Sequence, residues 1–252
     1  MGISKRRFIQ ALGAATAATA LGQTVAATRK RRYDLLVIGA GTAGIPAAIY
    51  AAARGASVLV IDAAATIGGT LLLTSGQMSA AGTRVQRQKG IDDTPDLFFQ
   101  DLMRISRGTI DHSLARLAVD NAATTVDWLM DNGYPLLPGY PVEGVAHEPY
   151  SKPRYYWSEL RGVAILDAMR PQFTQAVNAG KVDLLLEHRA VELRTGASGT
   201  VSAVAVEDSG GKRIEYQPRN VLLASGGYAS NAAMFEKLSG YPKYLDASYP
   251  FA

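Results

Sequence analysis

The stretch YDLLVIGAGTAG, residues 33–44, decides the fold of this chain. Its first half is apolar after the second residue, which is typical of a parallel strand covered on both faces. Three glycines follow in the order Gly-x-Gly-x-x-Gly, and residues 45–54 have the composition of a helix that Gly55 ends. Residues 57–61 are apolar again and lead into Asp62. This order of strand, glycine turn, helix, strand and terminal acid predicts a dinucleotide-binding βαβ unit.

The glycines of this turn each have a physical role. Gly39 permits the tight turn out of the strand, Gly41 lets a diphosphate approach the backbone, and Gly44 lets the helix pack close to the strand. The amides and positive dipole end of the helix N-terminus favour a phosphate. Asp62 follows 18 residues after Gly44, where a carboxylate accepts hydrogen bonds from a ribose diol. The predicted diphosphate contacts are Gly39, Gly41, Thr42, Ala43 and Gly44. This fingerprint fits FAD and NAD equally well.

The composition is that of an ordinary globular protein. Of the 252 residues, 48% are hydrophobic and 19% are charged, which excludes a disordered or membrane-embedded chain. The net charge of +4 includes Lys5, Arg6 and Arg7, which lie in a separate N-terminal segment. Because no aromatic residues alternate with the basic ones, nucleic-acid binding is not expected. The chain has no cysteine, which excludes disulfides, thiolate metal sites and thiol catalysis.

Three further segments carry a family resemblance: TIGGT at residues 66–70, SGQMS at residues 75–79 and NVLLASGGY at residues 220–228. With the βαβ unit, they resemble the flavoprotein subunits of the fumarate reductase and succinate dehydrogenase family. That family also includes urocanate reductases, L-aspartate oxidases and 3-ketosteroid Δ1-dehydrogenases. The resemblance covers most of residues 33–242 and implies an α/β fold. The expected architecture is a Rossmann-like FAD-binding domain with a parallel sheet, a helical insertion and a small antiparallel β-meander.

The resemblance implies FAD rather than NAD and adds contacts to the site. In the family, a Gly-Gly-Ser/Thr turn lies along the pyrophosphate and flavin, and the next segment passes the isoalloxazine edge, where backbone amides stabilise the reduced flavin. A residue pair after a later strand lies beside the adenine and contacts it through the backbone. The implied contacts are Gly68, Gly69, Thr70, Ser75, Gly76, Gln77, Ala190, Val191, Ala224, Ser225 and Gly226. Residues 71–74, where some members attach flavin to a histidine, contain none, so the FAD is predicted to be non-covalent.

The family's capping domain, with its substrate-binding histidine and catalytic arginine, normally follows the strand that ends at Ala224. This sequence reaches Ala252 without the family's Gly-Asp-Gly or His-Pro-Thr segments. We therefore expect a chain that lacks the capping domain, as a truncated protein or gene fragment would, and we expect its catalytic residues to lie outside these 252 residues.

The middle of the chain predicts a helical insertion. Thr94 and Pro95 predict the start of a helix at residues 96–106. Asp111 or Ser113 is expected to cap a second helix, whose apolar stripe is expected to be core. The members of this stripe are Leu114, Leu117, Ala118, Ala122, Val126 and Leu129.

The loop at residues 134–157 holds two residues for which two interpretations stay open. His147 is either a proton relay or substrate ligand, or an ordinary surface histidine. Arg154 either binds a carboxylate or stacks on a surface aromatic ring.

Beyond this loop, a helix at residues 162–179 is expected to bend or break near Pro171. Short strands follow at residues 181–187, 190–195, 200–207 and 213–217, and the sequence SGG at residues 209–211 predicts a hairpin turn between the last two.

The N-terminal residues resemble an export signal. Residues 4–10, SKRRFIQ, resemble the twin-arginine motif, with Lys5 where the first arginine is usual. A mild apolar stretch at residues 11–21 is too short to span a bilayer, and VAA at residues 25–27 offers a cleavage site. We predict a signal peptide at residues 1–27, a basic leader at 28–32 and an FAD-binding domain at 33–252. The alternative for the signal is an amphipathic N-terminal helix.

The resemblance implies an FAD-dependent oxidoreductase that acts on a carbon–carbon bond beside a carboxylate or carbonyl. Twin-arginine export carries folded proteins, so a periplasmic enzyme would leave the cytoplasm with its FAD bound. An unsaturated carboxylic acid is the expected substrate, and a quinol or cytochrome is the expected electron partner. Two alternatives stay open: an enzyme of the 3-ketosteroid Δ1-dehydrogenase type, and a non-catalytic FAD-binding fragment. A flavoprotein disulfide reductase is disfavoured because no cysteine pair exists.

Overall fold

The structure is a computed structural model that describes residues 32–144, 147–228 and 231–239. The predicted signal peptide and residues 28–31 of the leader lie outside the described residues. The strands are β1 (Leu35–Ile38), β2 (Val58–Ile61), β3 (Met78–Ser79), β4 (Tyr155–Tyr156), β5 (Val182–Leu185), β6 (His188–Thr195), β7 (Val201–Asp208), β8 (Arg213–Tyr216) and β9 (Asn220–Leu223). The helices are α1 (Gly44–Ala53), α2 (Arg84–Gln88), α3 (Pro95–Ile105), α4 (His112–Asp131), α5 (Gly162–Asn178) and α6 (Ala232–Ser239), and a 3₁₀ turn spans Gly69–Leu72.

A parallel sheet in the order β5-β2-β1-β9 forms the centre of the fold. The predicted βαβ unit is confirmed as β1, α1 and β2, within two residues of the expected ends. The register pairs Ile38 with both Ile61 and Leu223, so three strands end at the same edge of the sheet. Loops that follow these strands therefore meet above that edge, which is where open α/β sheets bind ligands.

The two faces of the parallel sheet pack against different layers. On one face, Val37 and Val60 pack in a cluster with residues of α1 and α5. On the other, Leu59 and Ile61 pack with Val204 of β7. Alternate residues of a strand point to opposite faces, so these fully apolar strands need a cover on both sides. The second cover is the antiparallel sheet β6-β7-β8, which confirms the predicted β-meander.

The helical insertion is also confirmed, and local capping explains where its helices begin. Thr83 begins α2 with a complete capping box, and the Thr94 hydroxyl accepts a hydrogen bond from the amide of Leu97 at the start of α3. For α4 the cap is Asp111, whose carboxylate accepts from the amide of Leu114 at 2.9 Å. The other candidate, Ser113, lies within the helix and donates its hydroxyl to that same carboxylate.

The predicted core stripe of α4 is wrong in its N-terminal half. Leu114 and Leu117 are 64% and 63% exposed, and Ala118 is exposed as well. The buried face instead carries Ala115 and Val119, which lead into the correctly predicted Val126 and Leu129. Both rows have helical spacing, so periodicity alone does not select between them. Contacts with α3, through Phe98, decide which row is covered.

The sequence predicts that the helix bends or breaks near Pro171. The break is wrong, because α5 is one helix with this proline inside. Proline has no amide hydrogen, so the carbonyl of Asp167, four residues earlier, loses its helical partner. Asp167 and Pro171 both lie on the exposed face of the helix, where solvent can reach that carbonyl. The helix therefore continues through the proline.

Arg154 does bind carboxylates, but they belong to the protein itself, and the alternative of a surface arginine is wrong because the side chain is fully buried inside the insertion. Its Nε and Nη2 donate to Asp93 at 2.8 and 2.6 Å, and Nη1 donates to Asp101. The guanidinium stacks on Phe98 at 5.0 Å, but away from solvent. Burial acts to raise the pKa of Asp101, but hydrogen bonds from Arg104, Ser151 and Arg154 outweigh it and hold that pKa well below its usual range. Arg154 is therefore a structural ion-pair partner.

Candidate functional site

A cleft of about 660 Å³ lies at the carboxyl edge of the parallel sheet. Its volume falls in the range of roughly 300–1,000 Å³ that is usual for ligand pockets. Eleven of the predicted contacts line it: Gly39, Gly41, Thr42, Ala43, Asp62, Gly69, Thr70, Ala190, Ala224, Ser225 and Gly226. The topology thus brings together segments that are far apart in the sequence.

The other six predicted contacts do not line this cleft: Gly44, Gly68, Ser75, Gly76, Gln77 and Val191. Gly44 and Gly68 are buried beside it and shape the turns that form its wall. Val191 is 39% exposed and lies at a bulge, where the pairing of β6 with β7 shifts register after Ala190. The resemblance implies that residues 75–77 lie at the flavin edge, and they follow the 3₁₀ turn that begins at Gly69.

The segment at residues 75–77 is held by a separate set of contacts. The indole Nε1 of Trp157 donates to the carbonyl oxygen of Ser75 at 2.8 Å. Gly76 has a φ of +67°, and a Cβ there would lie 2.4 Å from the backbone of Arg161 and Gly162. Glycine is therefore required at this position by packing alone.

The glycines of the first turn divide into structural and ligand-facing positions. A Cβ on Gly44 would lie 1.8 Å from the carbonyl oxygen of Gly39, so this glycine lets α1 pack on the strand. Gly39 has a φ of +109°, and its Cβ would lie 2.3 Å from the carbonyl oxygen of Ala224. A Cβ on Gly41 meets nothing closer than 3.9 Å. Gly41 lines the cleft, so the absence of a side chain there leaves space for a ligand, whereas at Gly39 and Gly44 it lets protein segments pack together.

The start of α1 is uncapped by the protein. Its N-cap is Ala43, no side chain caps it, and its first turn contains no acidic residue. Within the described part of the chain, the amides of Gly41, Thr42 and Ala43 donate to no protein acceptor. An uncapped helix N-terminus attracts an anion through these amides and the helix dipole. The residues present therefore fit the diphosphate of a dinucleotide.

Asp62 links this turn to the next segment. One oxygen of its carboxylate accepts from the amide of Ala40 at 2.6 Å, and the other accepts from the amide of Ala64 at 2.8 Å. Each carboxylate oxygen has a second lone pair, so a ribose hydroxyl can still donate to it. The two amides fix the carboxylate in the cleft.

Sequence reasoning missed eight residues that line the cleft: Ile38, Ile61, Ala63, Ala64, Ala65, His188, Arg189 and Leu223. Most of them occupy the last position of a parallel strand or the residues just after it. That position was itself a usable signal, because ligands bind at the carboxyl ends of such strands. His188 and Arg189 begin β6, and nothing in their local sequence marks them.

His147 does not line the cleft. Its Nε2 lies 2.5 Å from the hydroxyl of Tyr155, and its Nδ1 lies 2.5 Å from the carbonyl oxygen of Glu148. Its ring also packs against Tyr150. Among the residues that the structure describes, no cluster of side chains could hold a metal ion, and no helix could cross a membrane.

The parallel sheet, the glycine turn and the uncapped helix above the cleft define a dinucleotide-binding α/β domain. The chain belongs to the family described as FAD binding domain, whose profile matches residues 34–252, and FAD is its cofactor.

Two curated relatives are fumarate reductases. The chain is 32% identical over 207 residues to the NADH:fumarate oxidoreductase of Klebsiella pneumoniae (strain 342), a match that covers 82% of this chain and 22% of that protein. It is 30% identical over 205 residues to a fumarate reductase (cytochrome) of Shewanella frigidimarina, covering 81% of this chain and 35% of that protein. The chain therefore spans about a fifth to a third of the length of these relatives.

Solved structures agree with this assignment. The open conformation of a flavocytochrome c3 fumarate reductase superposes with a TM-score of 0.72 at 25% identity, over 94% of this chain and 39% of that one. The 3-ketosteroid-Δ4-(5α)-dehydrogenase from Rhodococcus jostii RHA1 gives a TM-score of 0.67 at 25% identity, over 86% and 50%. The predicted family resemblance is confirmed.

Proposed function

We propose that this chain is the cofactor-binding part of an oxidoreductase that acts on a carbon–carbon bond beside a carboxylate or carbonyl. The observation that carries the proposal is the cleft at the uncapped start of α1, where Gly41 leaves space that no protein atom fills. Bound there, FAD would supply the hydride transfer to or from the substrate carbon. A fumarate-like unsaturated acid is the proposed substrate class, supported by the names of both curated relatives.

The residues of this chain have three proposed tasks. The amides of Gly41, Thr42 and Ala43 hold the diphosphate, and Asp62 holds the ribose beside them. The turn at Gly69 and Thr70 closes the cleft on the side that leads to the segment at residues 75–77. That segment would lie along the flavin, where its backbone amides would stabilise negative charge on the reduced ring. A cytochrome or quinol is the proposed electron partner, and the name of the Shewanella relative supports the cytochrome.

A Gly41→Val variant tests the cofactor site. The valine side chain would occupy the space for the diphosphate, so we expect FAD affinity to fall by more than about tenfold, the equivalent of 1.4 kcal/mol. A Cβ at this position meets no atom of the apo fold closer than 3.9 Å, so the Tm of the apo protein should stay within about 2–4 °C, the change for 1 kcal/mol in a domain of this size. Titration followed by flavin fluorescence, with thermal unfolding of the apo protein, measures both.

Gly196→Val is the matched control. Gly196 lies outside the cleft, in the turn between β6 and β7, and its Cβ would also meet its nearest atom at 3.9 Å. This variant should bind FAD as the parent does. A well-folded parent that emerges colourless and refuses added FAD would contradict the site. If the intact protein binds flavin but does not reduce fumarate with electrons from a reduced dye, the alternative of a non-catalytic FAD-binding protein is favoured.

A second candidate, a steroid dehydrogenase, is favoured by the structural similarity to the Rhodococcus enzyme. The two candidates share the cofactor cleft and differ in the substrate, so fumarate and a 3-ketosteroid should be offered to the same flavin-loaded protein. Flavin reduction by the steroid, with no reoxidation of reduced flavin by fumarate, would select the dehydrogenase.

We also propose that the protein is exported in its folded state to the periplasm. Support comes from the SKRRFIQ segment at residues 4–10 and from the need to bind FAD before export. If the segment acts as a twin-arginine signal, Arg6 is the second residue of the pair, and Arg6→Lys should abolish export. Cell fractionation and immunoblotting would measure the exported fraction. Arg7→Lys is the control outside the pair and should leave export intact; equal export of both variants would refute the proposal.

A further inference from the structure

His188 lines the cleft and occupies the first position of β6. Its backbone amide donates to the carbonyl oxygen of Asp62 at 2.8 Å, and the preceding amide, that of Glu187, donates to the carbonyl oxygen of Ala64 at 3.0 Å. Two backbone hydrogen bonds therefore fix this histidine beside the acid that is proposed to hold the ribose.

The direction of the His188 side chain follows from the alternation along β6. Residues two apart in a strand point to the same face, so His188 shares a face with Ala190. Ala190 packs in the cluster that contains Ile61, the last residue of β2. The imidazole is half-buried and faces the parallel sheet at the level where β2 ends, which is the wall of the cleft.

One nitrogen of the His188 ring already forms a hydrogen bond within the protein. Nδ1 of His188 lies 2.6 Å from the carbonyl oxygen of Leu186. A carbonyl oxygen only accepts, so Nδ1 carries the hydrogen, and in the neutral ring Nε2 is then an acceptor. Within the described part of the chain, Nε2 has no protein partner.

We propose that Nε2 of His188 accepts a hydrogen bond from the adenosine half of FAD. This inference rests on the proposed cofactor cleft. The amides at the start of α1 fix the diphosphate and Asp62 fixes the ribose, so the adenosine extends past Asp62 toward His188. Neutral adenosine has three kinds of donor, the 6-amino group and the 2′- and 3′-hydroxyls, and Nε2 binds one of them. His188 thereby favours FAD over FMN, which has no adenosine.

Two substitutions separate this hydrogen bond from the packing of the ring. Asparagine can donate its amide to the carbonyl of Leu186, as Nδ1 does, but it has no atom at the position of Nε2. His188→Asn should therefore weaken ADP and FAD binding by about tenfold, the effect of one lost hydrogen bond. Glutamine reaches the position of Nε2 with an acceptor oxygen, so His188→Gln should bind ADP more tightly than His188→Asn. Isothermal titration with ADP, FAD and FMN measures these changes on the full chain.

FMN and His112 supply the controls. FMN binding should change by less than about twofold in His188→Asn, because FMN makes no contact with this residue. His112 starts α4 with its ring against Phe99, away from the cleft, and His112→Asn should bind ADP as the parent does. Equal ADP binding by His188→Asn and the parent would overturn the inference. So would an equal loss of FMN and ADP, because that pattern marks a distorted cleft.

Ligand analogues identify the donor. IDP lacks the 6-amino group, and 2′-deoxy-ADP and 3′-deoxy-ADP each lack one hydroxyl. The analogue without the donor should bind the parent more weakly than ADP does, and this difference should shrink in His188→Asn, where a deoxy analogue keeps only the loss that comes from Asp62. If the difference from ADP is the same in the parent and in His188→Asn for all three analogues, His188 accepts from no donor of the adenosine and the inference fails. A folded parent that binds neither FAD nor ADP would overturn the proposed function itself, which is a distinguishable result.

Discussion

Arg154→Met is expected to lower the free energy of unfolding by about 3–5 kcal/mol, the usual effect of removing one partner from a buried ion pair. The methionine can replace the aliphatic part of the side chain, but it leaves the carboxylates of Asp93 and Asp101 with fewer donors at 8% and 5% exposure. Asp93 retains donors from Gln86 and from its neighbour's amide, and these are neutral. Urea unfolding followed by circular dichroism measures the loss.

The control for this prediction is an exposed ion pair. Arg170 contacts Asp167 at 3.3 Å with both side chains about half exposed, so Arg170→Met should change stability by less than about 0.5 kcal/mol. If Arg154→Met were equally mild, the two buried carboxylates would not depend on the guanidinium, and the proposed structural role of Arg154 would be wrong.

The buried ion pair of Arg154 and Asp101 predicts that the stability of the protein depends on pH. The folded-state pKa of Asp101 lies below its unfolded value, so its contribution to stability is present above a pH of about 4 and is lost as pH falls below that value. Removal of Arg154 takes away one of the hydrogen bonds that lower this pKa. The difference in stability between parent and Arg154→Met should therefore narrow once the pH falls below the pKa that Asp101 has in the folded variant, which lies above that of the parent.

Local signals were enough to predict the fold near the cofactor. The strand, turn, helix and acid of residues 33–62 lie within one stretch, and each step depends on the intrinsic geometry of glycine or on apolar runs. The caps at Thr94 and Asp111 are equally local. These features could be predicted from the sequence because the residues that cause each of them lie within a few positions of it.

The misassigned residues depend on contacts between distant segments. Arg154 pairs with carboxylates 61 and 53 residues earlier, and nothing in the loop sequence distinguishes a buried arginine from an exposed one. Leu114 and Leu117 have the same spacing as the buried row of α4, and only the position of α3 decides which row is covered. In the site, the glycine turn could be predicted, whereas His188 comes to Asp62 through the pairing of β5 with β2.

Gly44→Ala is expected to destabilise the fold by about 3 kcal/mol or more, the upper range for an overpacked site. The new Cβ would lie 1.8 Å from the carbonyl oxygen of Gly39 and 3.0 Å from its carbonyl carbon. These are backbone atoms at the end of β1, so no side-chain rotation relieves the contact, and α1 must move away from the sheet. Because the start of α1 forms the diphosphate site, FAD affinity should fall together with Tm. Thermal unfolding and flavin titration of the same preparation measure the two effects.

The direction of the stability change in Gly44→Ala distinguishes a packing effect from an effect of helix propensity. Alanine in place of glycine within a helix is ordinarily stabilising by up to about 1 kcal/mol, so a loss of stability must come from the contact with Gly39. Comparison with Gly41→Val separates the two glycine roles, since that variant should lose FAD while it keeps the apo Tm. If Gly44→Ala instead matched the parent in Tm and FAD affinity, α1 would not pack on β1 as the structure has it. The amides at its start would then have no fixed position from which to hold the diphosphate.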